Sequence, residues 1–248
     1  MDKKTVQHFL GSLTEKDFSP KSTGRKLASI KSFFRYLLKH AHVESNPASA
    51  VKAPKQHATL PKFLQKEVLE QILSNSDKDD WQLKRDKTIL ELLYSTGIRL
   101  SELVAIDMSD VQIDQKTVKV FGKGGKERIV PFGGKAAEAL GFYLKDRNIH
   151  VQKDLNDNPL FISKKGLRIS PRTVQSRLKK LFDSVAAGSG FTPHLMRHTF
   201  ATHLLDHGAN LQAVKELLGH ASLSSTQIYT HLEIKKMKKI FKKAHPHA

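Results

Sequence analysis

The chain has 248 residues, enough for one large domain or two modest ones, each able to bury a core. Its 42 Lys and Arg against 24 Asp and Glu leave a formal charge of +18, which points to a polyanionic partner, although charge alone would fit a ribosomal or membrane-surface protein equally well. The absence of cysteine excludes disulfides, thiolate metal sites and a cysteine nucleophile, and with no signal peptide or long apolar run the expectation is a soluble cytoplasmic protein.

Within Thr5 to Leu13, Val6, Phe9, Leu10 and Leu13 fall at helical spacing, and Ser19-Pro20 reads as the cap and first position of a longer helix. That second helix, about Lys21 to Ala41, is two-faced. Leu27, Ile30, Phe34, Leu37 and Leu38 share one side, while Lys21, Arg25, Lys31, Arg35 and Lys39 line another. A charge stripe is ordinarily a solvated face. This one has no Asp or Glu interleaved, which favours a face that tracks phosphates. Asn46-Pro47 marks a turn, and KAPKQHATLP, with two prolines, reads as a basic linker. The expected division is a helical domain with a phosphate-tracking face over 1–53, a linker over 54–62 and a second domain over 63–248 that ends in a tail helix.

The second domain opens with helical patterns at Gln65 to Leu73 and at Trp81 to Ser95, the latter burying Ile89, Leu92 and Leu93. Gly97 suits the position just past a helix end, and Arg99 follows in the turn before a helix that starts at Ser101. A lone arginine in a turn is usually a surface residue. Three short stretches rich in β-branched residues, Val111 to Ile113, Thr117 to Phe121 and Glu127 to Pro131, predict a small three-stranded sheet. Gly122, Gly124 and Gly125 surround Lys123 at the tip of its second hairpin. Such a turn is often a plain solvated end, and it is no nucleotide-binding loop, because no GKS or GKT follows a strand. Helical patterns return at Lys135 to Asp146 and Pro171 to Ala187. The second carries Arg172, Arg177, Lys179 and Lys180, which suit either phosphate contacts or a solvated face.

From Thr192 to His231 the residue types change character. Thr192 reads as a cap and Pro193 as the first helical residue, so His194 and Arg197 lie three apart in the opening turns, where free N–H groups and the positive dipole end favour an anion. Gly208 ends that helix. Asn210 caps the next, whose Leu211, Val214, Leu217 and Leu218 are expected to face a core, and Gly219 stops it just before His220. Ser222 can cap a last short helix, with Tyr229 at its far end. His194 and His198 also stand at the i, i+4 spacing of zinc sites, but there is no HExxH and no cysteine, and Arg197 between them would repel a dication. No metal and no cofactor are expected. The tail, Glu233 to Lys243, shows Ile234, Met237 and Phe241 on one face among six lysines, a stripe that must dock on something.

The order His-x-x-Arg, then a His, then a Tyr nine residues later resembles the tyrosine recombinases, most closely the bacterial Xer type. Here it is carried by His194, Arg197, His220 and Tyr229, with counterparts of the two remaining family positions at Arg99 in TGIRLSEL and Lys123 in FGKGGKER. The resemblance implies a mainly helical fold in two domains, with the small antiparallel sheet in the catalytic one. It also implies that the front domain is short, because the match begins near the third helix of the family's domain. The implied chemistry is DNA strand exchange through a 3′-phosphotyrosyl intermediate. Tyr229 would be the nucleophile and His194 the base, with Arg99, Arg197 and His220 on the non-bridging oxygens and Lys123 as the acid. Expected partners are duplex DNA and a second copy or related recombinase, four subunits on two sites, each tail helix packing into a neighbour; no membrane is expected. The Xer likeness implies chromosome dimer resolution. A mobile-element integrase, a DNA-relaxing topoisomerase and a DNA-binding remnant that no longer cuts are the alternatives.

Overall fold

The computed structural model describes residues 2–55, 64–74, 80–122, 125–152, 157–185, 191–219 and 231–248, the last stretch with side chains from Met237 onward. The chain divides into two compact units, Met1–Pro61 and Lys62–Ala248.

In the first unit, α1 (Lys3–Glu15) begins at Asp2, whose carboxylate accepts from the Thr5 N–H at 2.8 Å, and α2 (Pro20–Lys39) begins at Ser19, which accepts from the Ser22 N–H. Val6, Leu10 and Leu13 pack against Leu27, and Ala48 and Val51 complete this small core. Asn46 pins the segment beyond α2, donating to the Lys31 carbonyl and accepting from the Ala48 N–H. Phe9 and Leu38, expected to be buried, stand 38% and 43% exposed, because a two-helix unit covers a narrower stripe than the apolar periodicity offers.

The second unit is mainly helical around one sheet. Its elements are α3 (Lys66–Ser74), α4 (Trp81–Thr96), α5 (Leu100–Ala105), a 3-10 turn (Met108–Asp110), β1 (Val111–Gln112), β2 (Thr117–Phe121) and β3 (Glu127–Pro131). After the sheet come α6 (Gly134–His150), α7 (Pro171–Asp183), α8 (Pro193–Asp206), α9 (Leu211–Leu217) and α10 (His231–Ala244). The strands run antiparallel in the order β1-β2-β3, with Val118 opposite Val130 and Val120 opposite Arg128. Helix α4 is buried almost all round, Leu90 and Tyr94 included, because α6, α7 and α8 all pack on it. Its polar residues are tolerated there by pairing. Arg85 donates to Asp86 and to the Ile162 carbonyl, and Arg177 of α7 donates to the other Asp86 oxygen at 2.6 Å. Arg177 thus ties α7 to α4, which removes it from the candidate phosphate contacts. Leu211 is exposed, while Ala213, Val214 and Leu217 form the buried line of the short α9.

The tail docks on its own domain. Met237, Phe241 and Ala244 are buried against Phe200, Leu204, Val214, Leu217 and Leu218 of the same domain. The α8–α9 pair leaves an apolar row too wide to stay in water, and Met237 and Phe241 of the tail cover it in cis. Beyond α10 the terminal residues are locked in. His247 Nδ1 donates to Glu91 at 2.7 Å, its Nε2 accepts from Lys135, and a side chain on Gly133 would collide with the His247 carbonyl.

His245 lies stacked on Phe241, its Nε2–H donating to the Tyr94 carbonyl while Nδ1 accepts from the His247 N–H, so the ring is held in its neutral form. Burial pushes its pKa down to about 3. An unfolded histidine titrates near pH 6.5, so between those values the unfolded chain binds a proton that the folded chain refuses, and stability falls as the pH falls. The loss by pH 5 is about 2 kcal/mol. Burial lowers the pKa of His203 as well, which acts in the same direction. Thermal unfolding at pH 7 and pH 5 checks this: His245→Gln should show a smaller difference between the two temperatures than the wild-type chain. Equal differences would mean that His245 is not the titrating group.

Candidate active site

Helix α4 ends on Gly97 with φ +60°, and a β-carbon there would lie 2.4 Å from Phe200 Cδ1 and 2.9 Å from Leu218 Cδ2, so backbone conformation and packing both demand glycine. The chain re-enters a helix two residues after Ile98, with Arg99 as the residue that precedes α5. The carboxylate of Glu102, one turn on, accepts from the Arg99 N–H at 2.8 Å and from Arg99 Nη1 at 3.0 Å. The Arg99 side chain is held through Nη1 and remains 41% exposed.

Helix α8 starts as its sequence implies, with Thr192 accepting from the Leu195 N–H and Pro193 in the first position. His194 is exposed in the first turn, and Arg197 is half-buried one turn later. Arg197 Nη1 donates to the Gly97 carbonyl at 2.6 Å and Nη2 to the Leu218 carbonyl at 2.5 Å, which fastens the start of α8 to the ends of α4 and α9. Burial, and then the neighbouring charges of Arg99 and Arg128, push its pKa down to about 10, with Glu102 opposing. Arg99 and Arg128 thus share one carboxylate, and Arg197 stands near enough to feel the charges of all three. An anion bound here would relieve the repulsion among the arginines, and a phosphate diester matches both the charge and the donor set.

Arg128 was not foreseen. It sits on β3 facing inward beside Val130, only 6% exposed, and its Nη1 and Nη2 donate to the two Glu102 oxygens at 3.0 and 2.9 Å. Donation from both arginines holds the Glu102 carboxylate below the usual range against the burial that would raise it. The one hint in the sequence is an arginine at an inward position of an alternating strand. Glu102 had a clearer one, three residues after Arg99 at the start of a helix.

Of the six candidate catalytic residues, the structure brings Arg99 and Arg197 together through Gly97 and places His194 at the same helix end as Arg197. Lys123, His220 and Tyr229 lie outside the described residues, but their neighbours do not. A β-carbon on Gly122 would lie 3.6 Å from Arg128 Nη1, and one on Gly219 would lie 2.9 Å from Arg128 Nε. In the first unit Lys21, Arg25, Arg35 and Lys39 are exposed. Lys31 is half-buried and donates to the Ser49 carbonyl, since it stands four residues after Leu27 and three before Phe34, at the border of the buried face. Arg172 is exposed in the first turn of α7. Among the described residues no cluster of His, Asp and Glu could hold a metal, and no described helix is long and apolar enough to cross a membrane.

Residues 62–236 match the phage integrase family. The chain is 45% identical to the tyrosine recombinase XerC of Shewanella sp. (strain ANA-3), over 98% of this chain and 80% of that protein. It is 43% identical to the tyrosine recombinase XerC of Thermodesulfovibrio yellowstonii, over 97% and 81%. Among solved structures it is similar to the XerA recombinase, with 28% identity, a TM-score of 0.59 and coverage of 100% of this chain and 84% of that one. It also shares the fold of the XerH site-specific recombinase bound to a palindromic difH substrate, with 22% identity, a TM-score of 0.74 and coverage of 96% and 71%.

Proposed function

Since this chain belongs to the phage integrase family of tyrosine recombinases and is an Xer-like site-specific recombinase, we propose that the arginine cluster holds the phosphate at which DNA strands are cut and rejoined. The observation that carries the proposal is the convergence of Arg99 and Arg128 on Glu102 at the opening turn of α5, with Arg197 of α8 bonded to the Gly97 carbonyl two residues before Arg99.

In this reading Tyr229 attacks the phosphorus. The bond to the 5′-oxygen breaks, leaving a 3′-phosphotyrosine and a free 5′-hydroxyl. A phenol of pKa about 10 is ionised only about one part in a thousand at pH 7, a deficit of roughly 4 kcal/mol that a base and a positive field must offset. His194, exposed at the start of α8, is the base. Arg99, Arg197 and His220 hold the non-bridging oxygens, whose negative charge grows in the five-coordinate transition state. Lys123 protonates the departing 5′-oxygen. The phosphotyrosine conserves the energy of the broken diester, so the 5′-hydroxyl of a second strand can reverse the step on a new partner without a nucleotide.

The partner is duplex DNA, engaged in addition by Lys21, Arg25, Arg35, Lys39 and Arg172 through its phosphates. Lys31, tied to Ser49, contributes less. Four subunits assemble on two sites, and the cellular task is resolution of chromosome dimers in the cytoplasm. The test starts from target sites recovered by selecting bound fragments from a genomic library. On such a site carrying a nick, the wild-type chain should accumulate a covalent DNA adduct and Tyr229→Phe should give none. An adduct that persists in Tyr229→Phe, or a wild-type chain that binds its selected sites and forms no adduct, would overturn the assignment.

A further inference from the structure

We infer that Arg128 is a positioning residue of this site: it orients Glu102 and through it Arg99, and it lies beside Gly122 and Gly219, the described neighbours of Lys123 and His220. The inference rests on the reading of the site given above and names a residue that this reading does not use as a contact to DNA. Through Glu102, Arg128 governs Arg99. The carboxylate accepts from Arg128 Nη1 and Nη2 and from the Arg99 N–H and Nη1, four donors on two oxygens. It is thereby saturated and oriented, and Arg99, held through Nη1, stays partly exposed. Gly122, the residue before Lys123, lies beside the same guanidinium: a β-carbon there would stand at ordinary contact distance, 3.6 Å, from Arg128 Nη1.

The turn that leads into His220 rests on the other part of the side chain. A β-carbon at Gly219 would lie 2.9, 3.0 and 3.1 Å from Arg128 Nε, Cζ and Cδ, so the backbone of this residue lies directly on the guanidinium, where its φ of +68° also calls for glycine. The cost of that approach is visible. Arg128 Nε is the buried side-chain nitrogen that lacks a hydrogen-bond partner among the described residues. A buried donor left without a partner costs free energy. The arrangement gives up a hydrogen bond and holds geometry instead.

Removing Arg128 does more than loosen the turn. Glu102 is buried and would keep Arg99 as its sole remaining cation of this pair, so the carboxylate would draw the Arg99 guanidinium inward and cancel the charge meant for the phosphate. Arg128→Met should therefore cleave nicked target DNA about 100-fold more slowly, as expected for a displaced reacting group, with DNA affinity little changed. Adding Glu102→Gln in the same chain releases Arg99 and should recover about tenfold of that loss, a coupling that a merely structural role would not produce. Arg128→Lys should lose about as much as Arg128→Met, because a lysine cannot bond both carboxylate oxygens in one plane.

The assay compares single-turnover adduct formation by chains whose thermal unfolding has been recorded. If Arg128→Met does not fold, Arg128→Lys with and without Glu102→Gln carries the same comparison. Cleavage by folded Arg128 variants at the wild-type rate, or no recovery on adding Glu102→Gln, overturns the role of Arg128. A wild-type chain that forms no Tyr229-dependent adduct fails the functional reading instead, so the two failures are told apart in one experiment.

Discussion

Lys123→Ala should cleave ordinary duplex DNA about 10²- to 10⁴-fold more slowly than the wild-type chain and regain most of that loss when the bridging 5′-oxygen is replaced by sulfur. An alkoxide is too basic to leave unaided, whereas a lysine ammonium of pKa about 10.4 can hand over its proton as the bond breaks. The sulfur substrate departs as a thiolate, whose conjugate acid is far stronger, so no donor is needed. Arg197→Ala is the contrast. It donates to the Gly97 and Leu218 carbonyls and lies under the repulsion of Arg99, which fits a group that stabilises charge on the non-bridging oxygens. Its loss should be about 10²- to 10³-fold and should be the same with oxygen or sulfur in the bridge. Should sulfur fail to rescue a folded, DNA-bound Lys123→Ala, the hairpin lysine is a positioning contact and the acid lies elsewhere.

Truncation before Met237 should destabilise the catalytic domain enough to expose its core at ordinary temperature. Met237 and Phe241 each contribute about 1.5–3 kcal/mol by leaving water, and their removal also uncovers Phe200, Leu204 and Leu217. Glu91 would in addition lose His247, leaving a carboxylate that is 3% exposed without this partner. Set against a typical total of about 5–15 kcal/mol, this is a large fraction. Phe241→Ala is the milder version, expected to cost about 3–5 kcal/mol and to lower the melting temperature by several degrees. A truncated chain that melts cooperatively at the wild-type temperature and binds no apolar dye would show that the tail is dispensable to this core. Assembly on two DNA sites must be tested with point variants rather than by this truncation, because loss of the tail removes the fold along with any contact to a neighbour.

What the amino-acid sequence determined by itself is whatever local chemistry decides. Ser19-Pro20, Ser170-Pro171 and Thr192-Pro193 start helices where their caps say, because a hydroxyl oxygen and a fixed φ act within three residues. The three strands followed from β-branched runs separated by turns, and the ordered spacing of Arg99, Lys123, His194, Arg197, His220 and Tyr229 was enough to point to the family. Only the tertiary structure decided which charges meet. Glu102 finds Arg128 across 26 residues, Arg197 finds the Gly97 carbonyl across 100, and Arg177 is tied down by Asp86. A buried charge is stable only where its partner has been delivered, and delivery depends on how α4, β3 and α8 pack, which no local pattern encodes. The same holds for the tail: its apolar stripe announced that Met237 and Phe241 would dock, but the surface they cover exists only once α8 and α9 have folded against each other.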